Sequence, residues 1–352
     1  MKKILICPLN WGLGHASRCI PLIDKLKEKN HIIIASDGEA LLLLKKEFPQ
    51  LQTLELPSYK IKYAKKGIYF KWKLLLSIPK IARAVLKENK LINLWIKEFE
   101  IDAIISDNRL GCYSTQIPSI YITHQLNVLT GFTTKLSSWA HQYFIKKFDQ
   151  CWVPDYETEP NLAGKMSHTN NPKLSLIYIG VLSRLQEKKI AKKYDLMIVL
   201  SGPEPQRSLL EKKLIEEIEN FEGTIIFVKG ILAQDQEIKH VSKTTYYNFM
   251  TSEQIEESYN ESKIILCRSG YTSIMDLAKM NKKAFFIPTP GQTEQLYLAH
   301  KLLQEGIAPY SFQDDFKIEH LKELSKYKGF SYKETSPDWD LLFSIFERKK
   351  KR

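Results

Sequence analysis

The residues best suited to chemistry lie in one stretch, residues 263–299. The apolar run 264–266 predicts a buried strand, which Ser269 and Gly270 break before a helix begins. A strand that feeds a helix through such a turn leaves backbone N–H groups at the positive end of the helix dipole, where a phosphate binds. Asp276 lies one turn into this helix, where its carboxylate can accept ribose hydroxyls. The stretch therefore predicts a phosphate cradle with a diol acceptor beside it.

A second strand in the same stretch, residues 284–287, ends at Pro288. We expect the loop after it to bring Glu294 and Gln295 to the same end of the sheet. The simpler alternative is that the Ser-Gly pair is only a structural turn between a strand and a helix. The combination of the turn, the acid and the later Glu-Gln pair favours a ligand site.

The N-terminal loop, residues 8–15, carries Gly12 and Gly14 and ends in His15. It lies between a predicted strand, residues 3–8, and a predicted helix, which is how a doubly wound sheet begins. The glycines let the backbone approach a ligand closely. A histidine at this position is suited to acid–base chemistry near neutral pH. The alternative for His15 is a hydrogen-bonded cap of the helix.

Polar residues also follow two later predicted strands. Asp107 follows strand 102–106, and His124 and Asn127 follow strand 119–123. Ligands bind at the carboxyl ends of the strands in open α/β sheets. These three residues are therefore further site candidates.

Length and composition indicate a globular protein of two domains. The chain has 352 residues, which is too long for one ordinary hydrophobic core. Its 43% of apolar residues is typical of a globular protein. No apolar run is long enough to predict a transmembrane helix. The five cysteines stand singly, without a Cys-x-x-Cys pair, which predicts reduced thiols in a cytoplasm and no zinc site.

The net charge of +12 is concentrated in residues 59–90, which hold ten Lys or Arg residues and one acid, Glu88. Aromatic residues such as Tyr59 and Trp72 are interleaved with these charges. The mixture is typical of a segment that binds an anionic membrane surface or a lipid acceptor. Nucleic-acid binding and a merely solvated helical face are the alternatives.

The order of the predicted elements repeats an alternating βα pattern in each half. We expect an α/β fold of two doubly wound, Rossmann-like domains, residues 1–181 and 182–332, facing a central cleft. A long helix over 71–99 is expected to bend or break at Pro79. Residues 333–352 are expected to form a C-terminal helix and basic tail that cross back to the first domain. Ser336-Pro337 predicts the start of that helix. Asp338-Trp-Asp340 matches a metal-binding pattern, but its place in a first helical turn favours dipole compensation.

These motifs resemble those of the GT-B glycosyltransferases, and most closely the family 28 peptidoglycan N-acetylglucosaminyltransferases. The similarity covers most of the chain in the same order. The loop that ends in His15 is similar to that family's first loop, and residues 124–127 (His-Gln-Leu-Asn) are similar to its His-Glu-Gln-Asn. Arg184 resembles a hinge arginine that lies near the donor.

In the second half, Ser201-Gly202 falls where the family has a glycine-rich loop, and Met250 falls where an apolar pair receives the base. Arg268-Ser-Gly270, six residues before Asp276, is similar to the family's Arg-x-Gly and ribose-binding glutamate. The donor-binding residues that the resemblance implies are Arg184, Ser201, Gly202, Met250, Arg268, Ser269, Gly270, Tyr271, Thr272, Ser273, Asp276, Glu294 and Gln295. The acceptor side would hold Gly12, Gly14, Asp107, His124 and Asn127.

The resemblance implies an inverting glycosyltransferase that needs no metal or other cofactor and moves a sugar, most simply from UDP, to a hydroxyl acceptor. It implies His15 as the catalytic base and a lipid-linked or cell-envelope acceptor, with the protein in the cytoplasm or on the inner face of the plasma membrane. No nucleic-acid partner is expected. Asp276 is one carbon shorter than the family's ribose-binding glutamate, and Glu294 in place of the family's glutamine indicates a different sugar.

The first loop also resembles that of sugar-nucleotide hydrolases, through Gly12-Leu-Gly14-His15-Ala-Ser-Arg18-Cys. In those enzymes the histidine activates water. A nucleotide-sugar hydrolase or epimerase is therefore the alternative function.

Overall fold

The computed structural model describes residues 1–59, 70–331 and 337–347, which form two α/β units. The first unit contains residues 1–59, 74–182 and 337–347, and the second contains residues 70–73 and 183–331. Each unit is built on a mostly parallel sheet whose central strands are buried apolar runs, such as Ile4–Ile6 in the first unit. The predicted α/β class with two doubly wound sheets is confirmed.

The sheet of the first unit is parallel, in the order β3-β2-β1-β4-β5-β6-β7. Crossover helices connect its central strands, and the order reverses direction between β1 and β4, which is the topological switch point. Its strands are β1 (Lys3–Pro8), β2 (His31–Ser36), β3 (Gln52–Glu55), β4 (Ala103–Asp107), β5 (Ser119–Ile122), β6 (Gln150–Val153) and β7 (Leu176–Tyr178). Its helices are α1 (Gly14–Lys27), α2 (Gly38–Glu47), α3 (Phe70–Glu98) and α4 (Thr134–Ile145).

The sheet of the second unit has the order β10-β11-β9-β8-β12-β13, and only the edge strand β10 runs antiparallel to its neighbour. Its strands are β8 (Tyr194–Val199), β9 (Ile225–Val228), β10 (Ile238–Val241), β11 (Thr244–Tyr247), β12 (Ser262–Cys267) and β13 (Ala284–Phe286). Its helices are α5 (Gln206–Ile218), α6 (Ser252–Glu261), α7 (Tyr271–Lys279) and α8 (Thr293–Gln304), with a 3₁₀ helix at Ile318–Lys326.

The predicted long helix is present as α3, and it continues through Pro79, so it is not broken there. The predicted start of the C-terminal helix was wrong. The C-terminal helix α9 (Trp339–Phe343) starts later than the Ser-Pro signal indicated, because Asp338 is its N-cap and accepts the Leu341 N–H at 3.0 Å. This role fits the dipole interpretation of Asp338.

The helix α9 and the 3₁₀ turn after it (Ser344–Glu347) pack within the first unit. The rings of Phe343 and Phe346 lie 6.4 Å and 6.3 Å from that of Trp152 on β6. Ser336 itself lies outside the described residues, as do the basic residues at the end of the chain.

The basic segment is described only in part. Residues 60–69 lie outside the described residues, and α3 begins at Phe70. Tyr59, predicted as part of a membrane-facing segment, is instead buried, and its hydroxyl donates to Glu88 at 2.8 Å. Within the described part of the chain, no helix is both long and apolar enough to cross a bilayer. The five cysteines are free and buried.

Candidate active site

The first site lies where β1 and β4 end and α1 begins. Gly12 has φ +76, and a Cβ there would meet nothing within 4 Å, so backbone conformation alone favours glycine. The turn starts α1 at Gly14 and places His15 in its first turn. The Nδ1 atom of His15 lies 2.7 Å from Oδ1 of Asp107, the last residue of β4. The side chain of His15 is therefore no helix cap, because it points to the neighbouring strand.

Arg18, one turn further along α1, joins this pair. Its Nε and Nη2 donate to the two carboxylate oxygens of Asp107, and its Nη1 lies 3.1 Å from Nδ1 of His124, which follows β5. Arg18, Asp107 and His124 are all buried. Arg18 was not among the predicted site residues. The available signal was its position three residues after His15, which puts both side chains on one face of the helix.

Electrostatics fix the protonation of the cluster. Burial alone would raise the pKa of Asp107, but the neighbouring Arg18 guanidinium and the contact with His15 outweigh it and lower that pKa to about 2. The Nδ1 atom of His15 lies between Oδ1 of Asp107 at 2.7 Å and Nη2 of Arg18 at 2.9 Å. In the tautomer with its proton on Nδ1, His15 donates to the carboxylate, and Nε2 is the nitrogen without a proton. Only His15 in this cluster has a partly exposed side chain, at 14%.

A buried ion-pair network supports the strand ends that carry this cluster. Arg109 pairs with Asp37 after β2 and with Glu88 on α3, the latter at 2.5 Å, and its Nε donates to the Pro8 carbonyl at 3.0 Å. The same Glu88 accepts the Tyr59 hydroxyl. Arg109 therefore ties the end of β1, from which the loop to His15 starts, to the residue after β2 and to α3.

The hydrogen bonds of the Asn127 side chain are made to a neighbouring loop and not to the cluster of His15, Arg18, Asp107 and His124. Its Nδ2 donates to the carbonyls of Lys165 and His168 at 2.7 Å and 2.6 Å. The predicted residues His15, Asp107 and His124 are thus brought together, whereas Asn127 holds a neighbouring loop.

The second site lies between β12 and α7. Gly270 is the N-cap of α7, and a Cβ there would meet nothing within 4 Å, so the space in front of the helix is open. The Ser269 hydroxyl donates to the carbonyl of Gln295 at 2.8 Å, which ties this turn to the first turn of α8. The first residues of α7 are Tyr271, Thr272 and Ser273. The predicted strand–turn–helix is present, with its helix N-terminus at the carboxyl end of the sheet.

Asp276 lies on α7 as predicted. Its Oδ1 accepts the Ser183 hydroxyl at 2.6 Å. Burial raises the pKa of Asp276 to about 6, although Ser183 and Arg184 oppose this shift. The Nη1 of Arg184 donates to the Ser252 hydroxyl at 2.8 Å. Ser183 was not predicted as a site residue, and its contact spans 93 positions of sequence that no local pattern connects.

Glu294 and Gln295 lie in the first turn of α8, and not in a loop as the sequence indicated. Gln295 is buried, and its Oε1 accepts the backbone N–H of Thr289 at 2.8 Å. Across from it, Gly202 has φ +101, and the Thr289 hydroxyl lies 3.9 Å from the position of a Cβ there. The loops after β8 and β13 therefore approach each other closely beside α8, with Ser201 in the first of them.

Two predicted donor-binding residues are engaged inside the protein. Arg268 is buried and donates to the carbonyls of Ile287, Pro288 and Gln206 and to Oε1 of Gln313, at 2.7–3.2 Å. Burial lowers its pKa to about 9. Its contacts make Arg268 a support for the loops around the site. Met250 is also buried, and its Sδ lies 3.6 Å from the Ser258 hydroxyl.

Comparison with known proteins agrees with this architecture. Residues 206–327 match the model of the glycosyltransferase family 28 C-terminal domain. A UDP-N-acetylglucosamine–N-acetylmuramyl-(pentapeptide) pyrophosphoryl-undecaprenol N-acetylglucosamine transferase of Glaesserella parasuis is 25% identical, over 91% of this chain and 88% of its own. An uncharacterized glycosyltransferase of Methanosarcina acetivorans is 23% identical, over 94% of this chain and 92% of its own.

Solved structures show the same fold. The glycosyltransferase SnogD from Streptomyces nogalater aligns with a TM-score of 0.62 and 12% identity, over 99% of this chain and 95% of its own. MurG of Acinetobacter baumannii aligns with a TM-score of 0.53 and 15% identity, over 92% and 90%. Two parallel-sheet α/β units with a helix N-terminus at the carboxyl end of each sheet give the chain the GT-B fold of these glycosyltransferases. More particularly, the chain is a glycosyltransferase whose residues 206–327 are similar to the family 28 C-terminal domain. These similarities favour transfer over the nucleotide-sugar hydrolase alternative.

Proposed function

We propose that this enzyme transfers a sugar from a UDP-linked donor to a hydroxyl acceptor, with inversion at the anomeric carbon and without a metal ion. The single observation that carries the mechanism is the contact of His15 with Asp107, because a proton donated from Nδ1 to the carboxylate would leave Nε2 of His15 as the base. The family 28 match of residues 206–327 supports the second unit as the donor-binding part.

The reaction is a single displacement. The acceptor oxygen bonds to the anomeric carbon while the bond from that carbon to the diphosphate breaks, and the nucleoside diphosphate leaves. The hydroxyl proton moves to Nε2 of His15, and Asp107 stabilises the imidazolium that forms. Because Arg18 holds Asp107 ionised, the carboxylate keeps its charge throughout. Attack opposite the leaving group inverts the configuration.

The donor side relies on backbone and short polar groups. The N-terminus of α7 would bind the diphosphate, because its N–H groups and dipole favour negative charge. Asp276 would accept a ribose hydroxyl, and Glu294 would contact the sugar from the first turn of α8. Charge stabilisation on the departing diphosphate would supply a large part of the rate enhancement.

The acceptor is proposed to be lipid-linked, as in the relative whose acceptor is pyrophosphoryl-undecaprenol. The helix α4 supports an amphiphilic partner. It exposes Leu136, Trp139 and Tyr143 at helical spacing, with exposed fractions of 66%, 66% and 54%, and the Lys147 ammonium lies 5.3 Å from the Tyr143 ring. We propose peripheral binding to an anionic membrane on the cytoplasmic side, through this face of α4 and the exposed basic side chains of α3, Lys80, Arg83 and Lys87.

The test is turnover of a panel of nucleotide sugars, with UDP-N-acetylglucosamine first, in the presence and absence of an undecaprenyl-pyrophosphate-linked acceptor. We expect nucleoside diphosphate release that depends on the acceptor and continues in EDTA. Release at the same rate without the acceptor would identify a hydrolase instead. Loss of turnover in EDTA, restored by a divalent metal, would overturn metal independence.

A further inference from the structure

Two buried polar groups of the second unit have no hydrogen-bond partner among the residues that the structure describes. One is the hydroxyl of Thr289, in the loop between β13 and α8. The other is the Nε–H of Arg268, at the end of β12. Buried polar groups are almost always paired, because an unpaired one costs free energy. Unpaired groups at the carboxyl end of the sheet therefore indicate a ligand that pairs with them.

The charge of Arg268 shows which kind of ligand fits. Its hydrogen bonds go only to neutral acceptors, which are the carbonyls of Ile287, Pro288 and Gln206 and the side-chain oxygen of Gln313. Within the described part of the chain, no carboxylate balances this buried cation. A buried charge without a counter-ion is unfavourable. The surroundings of Arg268 therefore favour an anionic ligand.

The Thr289 hydroxyl lies beside this charge and faces the loop after β8. Pro288, whose carbonyl accepts from Arg268 at 3.2 Å, is the residue before Thr289. A Cβ at Gly202 would lie 3.9 Å from Oγ1 of Thr289 and, apart from its chain neighbours, within 4 Å of no other described atom. A ligand oxygen at that position would need to move only about 1 Å closer to form a hydrogen bond. The loops after β8 and β13 thus leave a place for a ligand oxygen.

The position of Thr289 next to α8 indicates which part of the donor it meets. Its backbone N–H donates to Oε1 of Gln295, in the first turn of α8, at 2.8 Å. In the proposed function, α7 binds the diphosphate and Glu294, beside Gln295, contacts the sugar. Thr289 therefore lies on the sugar side of the diphosphate, where the phosphate that carries the sugar would be.

We propose that the Thr289 hydroxyl donates a hydrogen bond to an oxygen of the sugar-bearing phosphate of the donor, and that the buried charge of Arg268 stabilises the same phosphate. This inference rests on the proposed function, which places the donor in the second unit. Negative charge grows on this phosphate as its bond to the anomeric carbon breaks. The hydrogen bond from Thr289 therefore strengthens in the transition state and favours departure of the diphosphate.

The test is calorimetric titration of full-length wild type and Thr289→Val with UDP and with UMP, which lacks the sugar-bearing phosphate. We expect UDP to bind at least about tenfold more weakly to the variant, as for the loss of a hydrogen bond to a charged group. UMP should bind within about twofold of wild type. An equal loss for both nucleotides would overturn the inference, and so would unchanged binding of both.

A UDP-sugar that the enzyme turns over separates the phosphate from the sugar as the partner of Thr289. We expect Thr289→Val to weaken its binding by the same factor as that of UDP. A loss confined to the UDP-sugar would assign the hydroxyl to the sugar and overturn the phosphate contact.

Failure of the proposed function gives a different result. If UDP does not bind to wild type, the donor site is wrong and this inference falls with it. If UDP binds equally to wild type and Thr289→Val, only this inference fails.

Thermal unfolding separates the ligand role of Thr289 from a structural one. Without ligand, Thr289→Val should unfold at the wild-type temperature or above it, because the lost hydroxyl was unpaired. UDP should raise this temperature less than it does for wild type. A Thr289→Val chain that is destabilised or does not fold would show that the hydroxyl supports the fold and would overturn the inference.

Two further variants complete the test. Thr289→Ser keeps the hydroxyl and should restore the ratio of UDP to UMP affinity. Thr245→Val is the control, because the Thr245 hydroxyl lies 3.0 Å from Nδ1 of His240 on β10, and it should change neither affinity. A ratio that Thr289→Ser fails to restore would contradict the role of the hydroxyl.

Discussion

The two candidate sites are formed by different kinds of chemical group. The site in the first unit is a closed cluster of charged side chains, in which Arg18 and Asp107 are buried and bonded to each other. The site in the second unit is formed by a helix N-terminus, by glycines and by short polar side chains around Asp276. The first arrangement holds the Asp107 carboxylate ionised before any ligand arrives. The second arrangement presents hydrogen-bonding groups with which a ligand can form hydrogen bonds.

The two carboxylates show this difference most clearly. Paired charges lower the pKa of Asp107 to about 2, in spite of its burial. Burial raises the pKa of Asp276 to about 6, because its partners are weaker. Asp107 therefore stabilises the folded protein at neutral pH, whereas the ionised Asp276 destabilises it until a ligand binds. Substitutions at these two positions should have opposite effects on stability.

The largest effect is expected for Asp107→Asn. The amide cannot hold His15 with its proton on Nδ1, so we expect kcat to fall by about 10²- to 10⁴-fold. Leaving the buried Arg18 charge without its carboxylate should lower the free energy of unfolding by roughly 3–5 kcal/mol. Steady-state kinetics and urea unfolding measure the two effects.

A matched control lies at the other end of the same strand. Asp102 accepts the backbone N–H of Lys3 at 2.8 Å, and Asp102→Asn should leave kcat unchanged. Equal losses of kcat in the two variants would show that Asp107 acts only through the stability of the strand.

The next effect is expected for Asp276→Asn, with the opposite sign for stability. Removing a carboxylate whose pKa is raised from 3.8 to about 6 should increase the free energy of unfolding at pH 8 by about 2–3 kcal/mol. The gain should fade as the pH falls through 6 towards 4, because wild-type Asp276 becomes neutral in the folded state, and it should vanish below the unfolded-state pKa of 3.8. UDP affinity should fall at the same time, since an amide accepts a hydroxyl less strongly than a carboxylate.

Thermal unfolding of wild type and Asp276→Asn over pH 4–8, with and without UDP, provides the measurement. A variant that is destabilised at pH 8 and still binds UDP normally would assign Asp276 to the core and not to the donor site.

The smallest effect is expected for Gly270→Ala. Gly270 has open space around it and a φ of −72, so the methyl group should change the free energy of unfolding by no more than about 1 kcal/mol. UDP should nevertheless bind several-fold more weakly, because the methyl group enters the space in front of α7. Gly306→Ala, at φ +65, is the control: strain should destabilise it by about 1 kcal/mol without changing UDP affinity. Calorimetry that finds weaker UDP binding in Gly306→Ala and unchanged UDP binding in Gly270→Ala would exclude binding of the diphosphate at the N-terminus of α7.

The sequence predicted the fold because the central strands are continuous apolar runs that fit only a buried sheet. Elements without that pattern were missed. The strand β10 is exposed along its length and lies at the edge of the sheet, so neither an apolar run nor a buried face marks it. The helix α3 continues through Pro79, although proline usually breaks or kinks a helix.

The residues of the first site could be predicted because ligand sites in parallel sheets lie at the carboxyl ends of the strands. His15, Asp107 and His124 each follow a strand of the same parallel sheet, and the carboxyl ends of such strands converge. Arg18 and Ser183 were missed for different reasons. Arg18 lies inside a helix, where a charged residue usually faces solvent. Ser183 acts on a residue 93 positions away, a contact that only the folded chain creates.

The central claim is that the two sites have separable roles, a base in the first unit and a donor site in the second. The most direct measurement is the dissociation constant of UDP and the rate of sugar transfer for one preparation of His15→Ala, with His31→Ala at an exposed position as the control. We expect His15→Ala to bind UDP within about twofold of wild type and to transfer sugar about 10²- to 10⁴-fold more slowly. Transfer at the wild-type rate, in the presence of normal UDP binding, would contradict His15 as the base.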